Sequence, residues 1–277
     1  MVVWVTGASS GLGLNTALQL QAAGMTVVAG ARSFASKEGE SKGGFRLYLD
    51  VKDEASCCRF RDRALELYGI PDALCCCAGV LTLGACEEYD RDELRDVMET
   101  NFIGMASVVS LVLPLMRENK KGKIVLFSSV NGLLGIPFQG AYTASKHAIE
   151  GYAEALRMEV MPYGISVCVI EPGDHTSGSS AYRRRAQKTA LDTSPYHDAF
   201  QSATRQISHD EATGSDPRLL GREIAKLLAK DHLPCRKIIA KPDQHFAVFM
   251  HRVLPVRLFM QIIMKYYVKP IQRGMNQ

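Results

Sequence analysis

The sequence predicts a doubly wound α/β fold: a seven-stranded parallel sheet with helices on both faces, followed by a C-terminal helical extension. Three observations carry this. Short apolar runs alternate with helical stretches along the 277 residues. The runs are nearly unbroken in hydrophobicity, as parallel strands covered on both faces must be. The first of them opens through a glycine-rich turn, Thr6-Gly7-Ala-Ser-Ser-Gly11-Leu-Gly13, directly into a helix.

Size and composition agree with a single large soluble domain. The chain is 22% charged and 47% hydrophobic, with a net charge of +4, and is long enough to bury a sizeable core. No basic stripe with interleaved aromatics is present, so a nucleic-acid partner is not expected. Strand character begins at the second residue, which leaves no room for a leader in this sequence and gives a cytoplasmic expectation. The eight cysteines are Cys57, Cys58, Cys75, Cys76, Cys77, Cys86, Cys168 and Cys235, and none has the paired spacing of a zinc site. They read as reduced thiols, with neither a disulfide framework nor a metal expected.

Taken in order, Val2–Thr6 is the first and central strand. The turn after it and the helix at 14–23 form a cradle for a dinucleotide's phosphates. Gly7, Gly11 and Gly13 let the backbone of Ser9, Ser10 and Leu12 approach closely, and the helix start offers free amides and a positive dipole end. The second strand, 25–31, ends at Arg32 and Ser33. An acidic residue there would hold a ribose diol, whereas an arginine holds a ribose phosphate by charge-assisted bonds. NADP(H) is therefore expected, with Ser9 as a second phosphate contact. Residues 34–44 are rich in Ser, Lys and Gly and read as a loop.

The third strand is 45–49, the fourth 73–77, and an amphipathic helix spans 54–68 between them. A long helix covers 90–117 and contains Asn101 and Gly104. The strand 123–127 sets Ser129 at its carboxyl end, where open α/β sheets bind ligands. The apolar loop 130–139 then lines one wall of a substrate pocket, and a helix runs over 141–161. The sixth strand is 165–171, and 177–195, with Arg183, Arg184 and Arg185, reads as a mobile lid. Asp216 caps a helix with Pro217 in its first turn, and 236–240 is the last strand. Residues 1–240 form the catalytic unit and 241–277 its extension.

Tyr142 and Lys146 lie four apart on one helix, hence on one face. The ammonium favours the phenolate, so the expectation is a Tyr142 pKa drawn down from about 10 toward working pH. Tyr142 then serves as general acid or base, and Ser129 converges with it on one oxygen.

Ser129, Tyr142 and Lys146, together with the glycine turn and Asn101, resemble the short-chain dehydrogenase/reductase family over about residues 2–240. The resemblance implies a Rossmann-like fold and reversible hydride transfer between NADP(H) and a secondary alcohol or ketone. It implies that Asp50 and Val51 flank the adenine, that Cys77, Ala78 and Gly79 follow the fourth strand beside the cofactor, and that Pro172, Gly173 and Thr176 surround the nicotinamide. Lys146 would also hold the nicotinamide ribose, and Asn101 a water linking Lys146 to solvent. Dimer or tetramer contacts would use the outer face of the catalytic helix. Cys76 and Cys77 depart from the family's asparagines, which predicts a more apolar and less braced strand end.

The apolar loop, lid and tail point to a bulky hydrophobic substrate. Similarity to steroid-acting members makes a hydroxysteroid or bile acid the first choice, with the arginines suited to a bile-acid carboxylate. A reductase of retinal or long-chain keto lipids is the alternative, and a non-catalytic NADP-binding sensor the rival of another class. In the tail, 256–269 sets Arg257, Gln261, Lys265 and Lys269 on one stripe beside a broad apolar face. Roofing the pocket and packing in a dimer are favoured over contact with a membrane surface.

Overall fold

The computed structural model describes residues 1–178 and 182–268. Seven parallel strands form the sheet: β1 (Val2–Thr6), β2 (Thr26–Ala31), β4 (Gly44–Tyr48), β5 (Ala73–Cys76), β7 (Gly122–Phe127), β8 (Ile165–Pro172) and β10 (Arg236–Ile239). A short β3 (Gly39–Ser41) adds an antiparallel edge, giving the order β10-β8-β7-β5-β1-β2-β4-β3. The expected loop at 34–44 is thus partly a hairpin. Gly43 and Gly44, at φ of 83° and 159°, turn the chain sharply enough for β3 to pair with β4.

Strand order reverses between β1 and β5, so a crevice opens beyond their carboxyl ends. Side-chain alternation along β1 feeds two cores. Trp4 faces the side of α2 (Glu54–Tyr68), α4 (Gly104–Glu118) and α5 (Gly140–Val160), beside Phe60, Val109 and Ile149. Val3 and Val5 face α1 (Gly11–Ala22) and α7 (Pro217–Leu228), beside Leu20, Leu220 and Ile224. All are essentially fully buried, which explains the unbroken hydrophobic runs.

The expected helix at 90–117 is interrupted. α3 (Arg91–Met98) passes through a π-helical turn, Glu99–Ile103, before α4 begins. Asn101 sits in that turn, and a Cβ on Gly104 would lie 2.7 Å from the carbonyl oxygen of Val51. Such turns insert a residue and re-aim the side chains around them.

The segment expected as a mobile lid is anchored. Its β9 (Arg184–Arg185) pairs with β6 (Thr82–Leu83), and Ala186, fully buried, donates to the Leu83 carbonyl at 2.7 Å. Residues 179–181 of that segment lie outside the described residues. Beyond it come α6 (His197–Ala212), α8 (Pro242–Val253) and α9 (Val256–Tyr267). From α9, Phe259, Ile263 and Tyr267 pack on α6 and on Val130, Leu134 and Phe138. Lys269 lies outside the described residues.

Candidate active site

The two strands that flank the crevice leave it side by side. Gly7, at φ of +68°, follows β1, and a Cβ there would come within 2.6 Å of the Ala78 Cα. A Cβ on Gly13 would strike the Gly7 carbonyl, whereas one on Gly11 (φ +56°) would meet nothing nearer than the Ser177 carbonyl at 3.8 Å. Gly7 and Gly13 close the turn; Gly11 opens onto the cavity. α1 starts at Gly11, its cap residue Ser10 makes no side-chain cap bond, and its first turn holds no acidic residue. The helix therefore offers unsatisfied amides and a positive end to a phosphate. These residues fit a dinucleotide's pyrophosphate.

One cavity of about 650 Å³ joins this cradle to the catalytic groups. Ser9, Ser10, Gly11, Leu12 and Gly13 line it with Arg32 and Ser33 from the end of β2, then Asp50, Val51, Cys77, Ala78, Gly79, Pro172 and Gly173. Arg32 is exposed and forms no ion pair among the described residues. Thr176 departs from expectation. Its amide and hydroxyl are both tied to the Ser215 carbonyl, at 3.0 and 3.4 Å, which turns it to solvent, and His175 and Ser177 line the cavity instead.

The cysteines at the end of β5 behave as apolar residues. Cys76 is buried in the core beside Leu126 and Met105, and burial pushes both the Cys76 and Cys77 thiols up, so they stay protonated. The strand exit is braced instead by the Ala78 amide, which donates to the Thr6 hydroxyl at 3.3 Å.

Ser129, Tyr142 and Lys146 do meet at the cavity. Ser129 Oγ accepts from the Asn131 amide at 3.2 Å, and Asn131 Nδ2 donates to Gln139 Oε1 at 3.0 Å and to Thr143 Oγ1 at 3.4 Å. Asn131 and Gln139 are buried polar members of a loop expected to be mostly apolar. Nothing in the loop's own pattern marks them except the Asn131-Gly132 turn.

Lys146 Nζ donates to the Phe127 carbonyl at 2.8 Å and stands 5.4 Å from the centre of the Tyr142 ring. The expected depression of the Tyr142 pKa is not found. Burial pushes the phenol up to about 12, opposed by a hydrogen bond to Ser129 and reinforced by Glu211 and Asp174, while burial brings Lys146 down to about 8. Desolvation is the largest cause of both shifts.

Asn101 is nearly fully buried but does not line the cavity. Its Oδ1 accepts from the Val80 amide at 2.7 Å, and its Nδ2 donates to the Val80 carbonyl and to Ser145 Oγ, each at 2.9 Å. Ser145 Oγ in turn donates to the Tyr142 carbonyl at 2.7 Å. Asn101 thus fastens the wall at Val80 to the catalytic helix. Ser145, between Tyr142 and Lys146, is a supporting residue that the spacing of the pair does not reveal.

The remaining wall carries both signs of charge, with Arg183 and Arg184 on it beside three carboxyl groups. Asp174, Asp210 and Glu211 line the cavity with Gln244 and Tyr267. Asp174 accepts from Gln244 Nε2 at 2.7 Å, and burial, then Asp210 and Glu211, push its carboxyl up to about 7. Of the three arginines suited to an acidic substrate, Arg183 and Arg184 line the cavity, but Arg183 is buried in an ion pair with Glu211 and bonded to Ser208, and Arg184 pairs with Asp96. Arg185 is exposed and away from the cavity.

Comparison with known proteins agrees with this geometry. Residues 1–188 match the family model for short chain dehydrogenases. A 3-ketodihydrosphingosine reductase of Bacteroides thetaiotaomicron is 38% identical over 236 residues, covering 85% of this chain and 86% of the relative. Human 17-beta-hydroxysteroid dehydrogenase type 1 is 34% identical over 242 residues, covering 82% and 72%. The crystal structure of a short-chain dehydrogenase from Streptomyces avermitilis superposes with a TM-score of 0.80 at 30% identity, over 94% of this chain and 95% of that one.

Proposed function

This chain belongs to the short-chain dehydrogenase family of oxidoreductases, and we propose that it is an NADP(H)-dependent reductase of a ketone on a bulky hydrophobic substrate. The convergence of Ser129, Tyr142 and Lys146 on the cavity that also holds the glycine cradle carries this reading. The dinucleotide, when bound, supplies the hydride. Ser129 then hydrogen-bonds the carbonyl oxygen, and Tyr142, protonated at neutral pH, donates the proton to it. Lys146 holds a positive charge beneath the phenol, favouring the phenolate that donation leaves behind. Arg32 and Ser33 support NADP(H) over NAD(H), because a cation with no acidic partner among the described residues lines the cavity at the end of β2 and would hold a ribose phosphate.

Charge on the wall selects among substrates. A bile-acid carboxylate would meet Asp174 and Asp210, while both guanidiniums on this wall are already paired, Arg183 with Glu211 and Arg184 with Asp96. A neutral or amine-bearing head meets no such repulsion. We therefore rank long-chain keto lipids first, a ranking supported by the 3-ketodihydrosphingosine reductase relative. Neutral hydroxysteroids are second, on the likeness to the human 17-beta enzyme. The reading further has a cytoplasmic homodimer or homotetramer, with the outer face of α5 as contact. Initial rates on 3-ketodihydrosphingosine (a long-chain amino ketone), a neutral keto-steroid, an oxo bile acid and retinal test the ranking. Preferred turnover of the oxo bile acid overturns it.

A further inference from the structure

The extension buries less of itself than a pocket roof requires. On α9, Phe259, Ile263 and Tyr267 form the apolar seam against the body and the Tyr266 hydroxyl donates to Asp210, while Val256, Leu258, Met260, Ile262, Met264 and the ring of Tyr266 are exposed. On α8, Phe246, Phe249 and Val253 recur at helical spacing and are exposed by more than half. Nine of the 21 exposed large apolar side chains among the described residues thus fall within these two helices. That is a concentration in one short segment rather than the even scatter normal for a soluble surface.

The charges on the same helices are one-sided. Arg252, Arg257 and Lys265 are exposed, and none makes an ion pair among the described residues. The sole acidic residue of α8 and α9 is Asp243, at the first turn of α8. Pairing this surface with a second copy would set like charges against one another. An anionic lipid surface instead accepts both features: apolar side chains enter the headgroup boundary while arginine and lysine reach the phosphates.

We propose that the α8–α9 hairpin docks the protein on an anionic phospholipid surface. The contact is interfacial, lying in the plane of the headgroups. The same helices contribute Gln244 and Tyr267 to the cavity, so a docked bilayer lies beside the reaction site and serves an apolar substrate stored in it. Docking itself does not depend on which ketone is reduced.

The test is co-sedimentation of the full chain with vesicles of phosphatidylcholine alone and of phosphatidylcholine with phosphatidylglycerol, at low and high salt. The expected result is binding to the anionic vesicles, weakened by salt. Phe249→Ser with Met260→Ser, and separately Arg257→Glu with Lys265→Glu, should each lower apparent affinity at least tenfold. Unchanged circular dichroism and unchanged rates on a water-soluble ketone show that each variant is folded. Equal binding to both vesicles, or variants that bind as wild type does, overturns the proposal. So does a wild-type dimer that becomes monomeric in the Phe249→Ser and Met260→Ser variant without any vesicle binding, since the face then belongs to a second copy.

Discussion

Lys146 and Tyr142 meet as a cation stacked near a ring, 5.4 Å from Nζ to the ring centre, and the ammonium's hydrogen bond goes to the Phe127 carbonyl. Both groups are governed by burial: the lysine falls to about 8 and the tyrosine rises to about 12. Around neutral pH each therefore carries its proton, which is the state that ketone reduction needs.

The first consequence is a pH profile. The rate of ketone reduction at saturating NADPH should hold steady near neutrality and decline as pH rises through about 8, where Lys146 loses its charge. Lys146→Met should lower kcat by roughly 100-fold and remove this basic limb. A wild-type profile flat to pH 10 would contradict the assignment.

The proposed preference for NADP(H) rests on Arg32. Replacing it with alanine removes one charge-assisted contact of about 1.5–3 kcal/mol, so KM for NADPH should rise roughly 10- to 100-fold. KM for NADH should stay nearly constant. Steady-state kinetics with both cofactors read this directly, and a parallel rise in both would argue that Arg32 acts on the fold instead.

Asn101→Ala removes three hydrogen bonds and leaves the Val80 amide and carbonyl without their protein partner in a half-buried wall. Chemical denaturation should show a loss of about 2–4 kcal/mol, with kcat falling as the Tyr142 helix loosens. Ser145→Ala, which breaks the same chain one link on, should show a smaller loss in the same direction.

Glu171 is fully buried at the end of β8, with Arg236 Nε 3.5 Å away, and burial pushes its carboxyl up to about 7. Its native pKa lies above the unfolded value near 4.3, so the native state binds the extra proton between those limits. Its contribution to stability is accordingly greatest at low pH and shrinks as pH rises toward 7. Glu171→Gln lacks this loss, so its stability relative to wild type should climb between pH 5 and 8 by roughly 1–3 kcal/mol. Denaturation midpoints at several pH values check the slope.

Much of the frame was legible because its signals are local. The unbroken run of β1, the glycines at 7, 11 and 13, and the four-residue step from Tyr142 to Lys146 each report a backbone geometry through neighbouring residues alone. What stayed hidden depends on distant partners. Asn131 and Gln139 gain their roles from each other, Arg183 loses its expected one to Glu211, and Thr176 is turned outward by Ser215. The Tyr142 pKa departs from expectation for a related reason: the sequence shows that an ammonium is nearby but not how much water burial removes from both groups.

The central claim is that Tyr142 does chemistry in an NADP(H) site, and one variant separates chemistry from binding. Purified Tyr142→Phe should bind NADPH within a few fold of wild type by fluorescence titration while its reduction of the best ketone in the panel falls by roughly 100- to 10,000-fold. If wild type binds NADPH yet turns over no ketone, or if Tyr142→Phe keeps wild-type turnover, the catalytic account fails; in the former case the chain is better read as a cofactor-binding sensor.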